Sequence, residues 1–187
     1  MAELRARDRL QPSLLDRLTD HHPEQSQETA EARVLTRQQL RAAVMRDLSW
    51  LFNATREEPE PASSRVKELE LWNRYKEARR SVLNYGLPAL AGVTKSTIDK
   101  VTIEAAIKQA IAAFEPRIDA KSLEVTIHVD PLHHHNALQL TIRGSMWATP
   151  VPLELLLTAD YDLETGNTQV RDTQPPVRTA PARDARK

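Results

Sequence analysis

Two short stretches carry residue types that could do chemistry. In "AAFEPRIDA", Ala112 to Ala120, Glu115 and Arg117 flank Pro116, between Phe114 and Ile118. A carboxylate two positions from a guanidinium admits three uses: a helix stop closed by an ion pair, a catalytic acid, or a docking device. Glycoside cleavage asks for two carboxylates about 5–10 Å apart, one with a raised pKa. Glu115 is the only carboxylate in a notable setting, and Arg117 beside it would lower its pKa rather than raise it. A helix stop is natural, because Pro116 disfavours helical geometry at Glu115 and Arg117 would meet the negative end of the helix dipole. Docking is natural too, because a guanidinium forks onto a partner carboxylate through two parallel hydrogen bonds. If the proline holds the chain extended, Phe114, Pro116 and Ile118 face the core, and Glu115 and Arg117 point outward together.

The second stretch is His133-His134-His135. Three consecutive side chains do not converge on one ion in regular structure. In extended chain only His133 and His135 share a side, and His128 would join them only if a hairpin brought it there. Zinc sites use three or four spaced ligands, so this run reads as a solvated connection and no metal is expected. The sequence has no cysteine, which removes disulfides, thiolate ligands and a cysteine nucleophile. It has no Gly-x-Ser-x-Gly and no Gly-rich phosphate loop. No cofactor is expected.

The elements that must position these residues follow from periodicity. Ser13 with Asp16 makes a possible capping box for a short helix near 13–19 that carries Leu14, Leu15 and Leu18 and is expected to dock on the body. Thr36 and Gln39 make a second capping box. After it Leu40, Val44, Leu48 and Leu51 recur at helical spacing to about Asn53, with Arg41, Arg46 and Asp47 assigned to the other side. "REEPEPASS" reads as a loop. Ser64 can cap a charged helix across "SSRVKELELWNRYKEARR". "SVLNYGLPALAG", Ser81 to Gly92, reads as a structured loop with Leu83, Tyr85, Leu87 and Leu90 tucked inward and positive φ at Gly86 and Gly92. A helix opened by Thr102 carries Ile103, Ile107, Ala110, Ile111 and Phe114 on one stripe and ends at the proline.

From Leu123 the period becomes two. Leu123, Val125, Ile127 and Val129 alternate with polar residues, and so do Leu138, Leu140 and Ile142, which predicts an antiparallel pair with one wet face. Gly144 suggests a bulge or bend. "VPLELLLTADY" predicts a third strand buried on both faces at Leu155, Leu156 and Leu157. A hairpin turn around Gly166 leads to a short fourth strand in "NTQVR". The expected fold is α+β: helices packed on one face of a small antiparallel β-meander of three to four strands. The expected organisation is a mostly flexible segment over 1–33, one domain over 34–171 and a disordered tail over 172–187.

Of the 187 residues 40% are apolar and 4% aromatic, and 26 basic residues balance 26 acidic ones. A neutral chain argues against nucleic acid as the main partner and suits a protein that assembles with others. The N-terminus lacks the apolar core of a signal peptide, and no apolar run approaches the roughly 20 residues that span a bilayer. A soluble, cytoplasmic protein without membrane insertion is expected.

Four stretches in order, "SLLDRL" (Ser13 to Leu18), "LRAAVMRDLSWLFNAT" (Leu40 to Thr55), "SVLNYGLPALAG" and the helix ending in "FEPRI", resemble the TssE family of type VI secretion baseplate subunits. That family is similar to a wedge component of contractile phage tail baseplates. The resemblance covers about residues 12–171, and its specific parts are the Tyr-Gly-Leu-Pro and Glu-Pro-Arg motifs. It implies a non-enzymatic structural role with TssF, TssG and TssK in baseplate wedges, and templating of the first ring of the TssB–TssC sheath. It implies that Glu115, Pro116 and Arg117 contact the wedge core. Such proteins have been labelled "lysozyme-like", which makes a peptidoglycan hydrolase the competing reading. The stretch from Glu57 to Arg80 is longer and more charged than the family pattern. A sheath contact would add a strand at an exposed edge, either Leu123–Val129 or Thr168–Arg171.

Overall fold

In the computed structural model of the protein, residues 13–19, 23–24, 35–59, 63–92, 99–128, 136–147 and 152–173 are described. Residues 20–22 and 25–34 of the linker, the His133–His135 run and the tail beyond Thr173 lie outside them. In chain order the elements are α1 (Leu14–Leu18), α2 (Arg37–Phe52), α3 (Val66–Arg74), α4 (Lys76–Arg79), a 3-10 turn (Val82–Asn84), α5 (Lys100–Phe114), β1 (Glu124–His128), β2 (Ala137–Met146), β3 (Leu153–Asp162) and β4 (Thr168–Asp172).

The strands form one sheet in the order β1-β2-β3-β4, each neighbour antiparallel, a meander joined to helices as the change of period predicts. Leu138, Leu140, Ile142 and Met146 of β2 and Leu155, Leu157, Ala159 and Tyr161 of β3 turn to one face and are buried. Onto that face pack Val44, Leu48, Leu51 and Phe52 of α2 and Ile103, Ile107 and Ile111 of α5, all in one hydrophobic cluster. The opposite face keeps Gln139, Arg143, Glu154 and Gln169 exposed. This is the α+β layering of an amphipathic sheet covered on its apolar side.

Several local expectations are corrected. α5 begins before Thr102, because Asp99 accepts from the amides of Val101 and Thr102 and caps the helix earlier. Ser64 does not cap α3; Arg65 holds that place without a side-chain cap, and Tyr75 (φ −105°, ψ 72°) separates α3 from α4. Leu83 is 65% exposed on the 3-10 turn, while Leu87 and Leu90 are buried as expected. β2 runs through Gly144 in unbroken register opposite Leu155, so there is no bulge. A Cβ on Gly144 would lie 3.1 Å from Ile118 Cγ2, so the glycine allows a close approach. Leu156 is not in the core with its neighbours; it lies half-buried on the other face, as strict alternation requires.

The loop from Ala54 to Pro59 is fixed by a buried carboxylate that its polarity did not suggest. Glu58 accepts from Arg79 Nε at 2.9 Å and from Asn84 Nδ2 at 3.0 Å, and its own amide donates to Asn84 Oδ1 at 3.0 Å. Beside it Arg56 N–H donates to Leu87 O and Leu87 N–H to Ala54 O, pinning "YGLP" against the end of α2. Gly86 has φ +128°, and a Cβ there would stand 2.5 Å from Ala54 O. Only glycine fits that crossing.

Candidate functional site

α5 ends where Glu115 N–H donates its last helical hydrogen bond to Ile111 O at 2.8 Å. Pro116 cannot continue the ladder. Ile118 N–H then donates to Glu115 O at 3.1 Å, which closes a β-turn with proline in its second position. The turn is clamped from the far side by the sheet. Trp147 N–H donates to Arg117 O at 3.0 Å, Asp119 N–H donates to Ser145 O at 2.9 Å, and Ile118 pairs with Met146. The helix end and the end of β2 therefore fix the backbone of Arg117 together.

That turn overturns the expected orientation of the motif. A chain reversal does not preserve the two-sided alternation of extended backbone, so Glu115 does not point outward. It is 2% exposed, while Pro116 is exposed and Ile118 is buried. The Glu115 carboxylate accepts from the amide of Arg117 at 3.2 Å and from Arg117 Nε at 2.6 Å, and it pairs with Nη2. The pairing foreseen between the two residues is thus present, with Glu115 beneath and the Arg117 side chain, 22% exposed, lying over it.

Two further acids and a second guanidinium complete the site. Arg117 Nη2 also pairs with Asp47 Oδ2 of α2. Arg46 reaches Asp47 through Nε at 2.9 Å, and Arg46 Nη2 lies 2.8 Å from Asp47 Oδ1 and 2.9 Å from Asp16 Oδ1. Asp16 Oδ2 stands 3.9 Å from Arg117 Nη1, a buried nitrogen that makes no hydrogen bond among the described residues. The Arg46 guanidinium also sits 5.1 Å from the Trp50 ring centre, within cation–π range. Phe114 and Tyr85 meet edge to face at 5.1 Å, so the "YGLP" loop borders the same site.

The electrostatics follow from this ring of charges. Burial by itself would lower the Arg117 pKa, but the hydrogen bonds and charge of Glu115, then those of Asp47, outweigh it and hold the group above its ordinary value. Burial pushes Asp16 up, and the Ser13 hydroxyl and Arg46 pull it further down, so it stays below its ordinary value. Burial raises Tyr85, and the negative charges of Asp47 and Glu115 add to the rise. The arrangement is built to hold charge in place.

Sequence reasoning missed Asp47, Arg46 and Asp16 as members of the site. Asp47 was assigned to the far side of α2, yet it lies three positions after Val44 and four before Leu51, on the margin of the apolar stripe. A carboxylate at such a position needs a partner, and that was the available signal. Asp16 was read only as a capping residue, which it also is: its carboxylate accepts from Ser13 N–H at 3.2 Å. Among the described residues no group of acids or histidines is arranged to hold a metal ion, and no helix is long and apolar enough to cross a membrane.

A family model described as baseplate wedge protein gp25 matches residues 38–151. That span holds all but the first residue of α2, the "YGLP" loop, α5, the Glu-Pro-Arg turn, β1 and β2. No curated protein and no solved structure matches the chain. The matched residues cover well over half of the sequence and include the whole of the clamped turn, and the chain belongs to the baseplate wedge protein gp25 family, the family of the TssE subunits.

Proposed function

We propose that this chain is a non-enzymatic TssE subunit of a cytoplasmic type VI secretion baseplate. It docks on the wedge core, with TssF, TssG and TssK as its neighbours, through the turn formed by Glu115, Pro116 and Arg117. The observation that carries this reading is the largely buried guanidinium of Arg117, 22% exposed, held from beneath by Glu115, from the side by Asp47, and through its backbone by β2. A guanidinium fixed in this way loses little freedom when a partner carboxylate meets it, and preorganisation of that kind favours specific binding. Pro116 stands exposed beside it. Membership in a baseplate wedge family supports a structural role.

The same subunit helps to nucleate the TssB–TssC sheath. A strand added to its sheet would meet β1 or β4, the two outer strands. On β1 the outward amide of Ile127 already donates to Glu104 of α5 at 2.7 Å. On β4, Asn53 takes the amide of Thr168 at 2.9 Å and its carbonyl at 3.0 Å, and ladder alternation turns the next outward groups, those of Val170, away from β3. The same alternation turns the groups of Val125 outward on β1, so both outer strands keep outward backbone groups for such an addition.

The competing hydrolase reading draws no support from the site. Glu115 is buried and engaged by Arg117, and Asp47 is engaged by the same guanidinium, so both carboxylates are committed to ion pairs within the fold. A concavity of about 250 Å³ on α3 and α4 is lined by Glu68, Leu71, Trp72, Tyr75 and Ala78, with a single carboxylate. Co-purification with TssF and TssG tests the docking. Arg117→Lys keeps the charge and loses the fork, so binding is expected to fall by roughly tenfold or more, with circular dichroism unchanged. Wild-type binding by the folded variant would refute docking through this turn.

A further inference from the structure

We infer that α1 is an internal ligand of the docking site, with Asp16 occupying on Arg46 and Arg117 the place that a carboxylate of the partner takes. The inference rests on the docking reading above and adds the chemistry of the group that docks: an acidic side chain, presented so that one carboxylate spans two guanidiniums.

The attachment of α1 is unusual for its size. It has five residues and buries none of them as a whole residue. Leu14 and Leu18 are 73% and 75% exposed and Leu15 is 42% exposed, so the apolar docking of this helix is slight. What holds it is Asp16, whose side chain is only 9% exposed and lies 2.9 Å from Arg46 Nη2 and 3.9 Å from Arg117 Nη1. The contact is imperfect at both ends. Among the described residues neither Arg46 Nη2, although it lies 2.8 Å from Asp47 and 2.9 Å from Asp16, nor Arg117 Nη1 makes a well-aligned hydrogen bond, and both nitrogens are buried. Buried guanidinium nitrogens left in this state favour an acceptor that can meet them better.

The charge count is compatible with the exchange of one carboxylate for another. With α1 in place, Asp16, Asp47 and Glu115 face Arg46 and Arg117, three acids against two bases. Without Asp16, Asp47 and Glu115 balance the two arginines. The body alone is therefore a neutral frame, and it is the two donor nitrogens directed at one position, not net charge, that receive an anion there. Asp16 fills it from the chain's own N-terminal side. An incoming carboxylate with better geometry would displace it and release α1 with its exposed leucines.

The test uses the full-length protein and purified TssF–TssG complex, with Asp16→Asn as the main variant. Asp16 lies on α1 and is not part of the hydrophobic cluster, so the body stays folded. Removing the internal ligand raises the fraction of sites that are open, and affinity for the complex is expected to tighten by roughly threefold to tenfold. Trypsin cleavage after the exposed Arg17 is expected to accelerate several-fold without any partner present. Ser13→Ala removes the cap but keeps the Asp16 contact, and is expected to change affinity by less than about twofold. Equal or weaker binding by Asp16→Asn, or unchanged cleavage at Arg17, would overturn the inference while leaving the docking turn intact. Failure of the wild type to bind the complex at all would instead overturn the docking reading, and this inference with it.

Discussion

Arg117 and Asp47 stand 70 positions apart, and one guanidinium nitrogen of Arg117 pairs with Asp47 while also pairing with Glu115. The turn that follows α5 is thereby tied to the last turns of α2. Removing Arg117 leaves Glu115 buried without a countercharge. Arg117→Ala is expected to cost about 2–4 kcal/mol, somewhat less than a fully buried pair because the arginine keeps some contact with water. Urea unfolding should show a lower midpoint with an unchanged slope. Replacing Asp47 with Asn, which keeps a hydrogen-bond acceptor, should cost about 1–2 kcal/mol, since Arg117 retains Glu115.

Gly86 and Gly92 both have positive φ but differ in their surroundings. A Cβ at Gly86 would stand 2.5 Å from Ala54 O and 2.8 Å from Arg56 N, both backbone atoms, whereas nothing lies within 4 Å at Gly92. Gly92→Ala should carry only the left-handed penalty, about 1 kcal/mol. Gly86→Ala adds a backbone collision and should cost about 3 kcal/mol or more. Thermal melts of the two variants side by side make the check. Equal losses would show that the crossing of "YGLP" with Ala54 is looser than described.

The pH dependence of α1 has a definite sign. The folded pKa of Asp16 lies below its ordinary value, so the ionised carboxylate favours the attached helix. Its contribution is fully present above the ordinary carboxylate range and is lost as pH falls through the folded pKa. Attachment of α1 should be constant from about pH 8 to pH 5 and should weaken only below about pH 4. The amide of Thr19, which donates to Leu15 O at 3.0 Å, reports it by hydrogen exchange. Asp16→Asn should abolish the acid step.

The fold was legible in the sequence because both periodicities are strong. α2 begins at its capping box, with Thr36 and Gln39 exchanging hydrogen bonds, and the alternation in β2 and β3 predicts their shared buried face. The site was legible only in part. Pro116 announces the end of α5, and the closeness of Glu115 to Arg117 announces their pairing. The direction of Glu115 was not legible, because it depends on a turn clamped by Ser145 and Trp147, residues that local spacing does not connect to it. Asp16 and Asp47 join through contacts 101 and 70 positions away in sequence, and no local pattern encodes those meetings.

The stretch from Glu57 to Arg80 is rich in charge, and its chemistry supports a structural prediction. Glu58 is buried, and both its carboxylate and its amide are taken by Asn84, while Arg79 supplies the countercharge at 2.6 Å. Asn84 also donates to Arg79 O at 3.1 Å, so one amide side chain closes the loop, the 3-10 turn and the end of α4 into a single knot. Asn84→Ala removes three of these hydrogen bonds and leaves the Glu58 amide buried without its acceptor, which should cost about 2–4 kcal/mol. Arg79→Ala leaves a buried carboxylate that still has Asn84; because Arg79 is nearly half exposed, the loss should be smaller, about 1–2 kcal/mol. Adding the two changes should cost less than the sum, since both act on Glu58. Chemical denaturation of the two single variants and the double variant measures that coupling. Strict additivity would show that Asn84 holds the loop without help from the ion pair, and the extra charges of this stretch would then owe nothing to the fold.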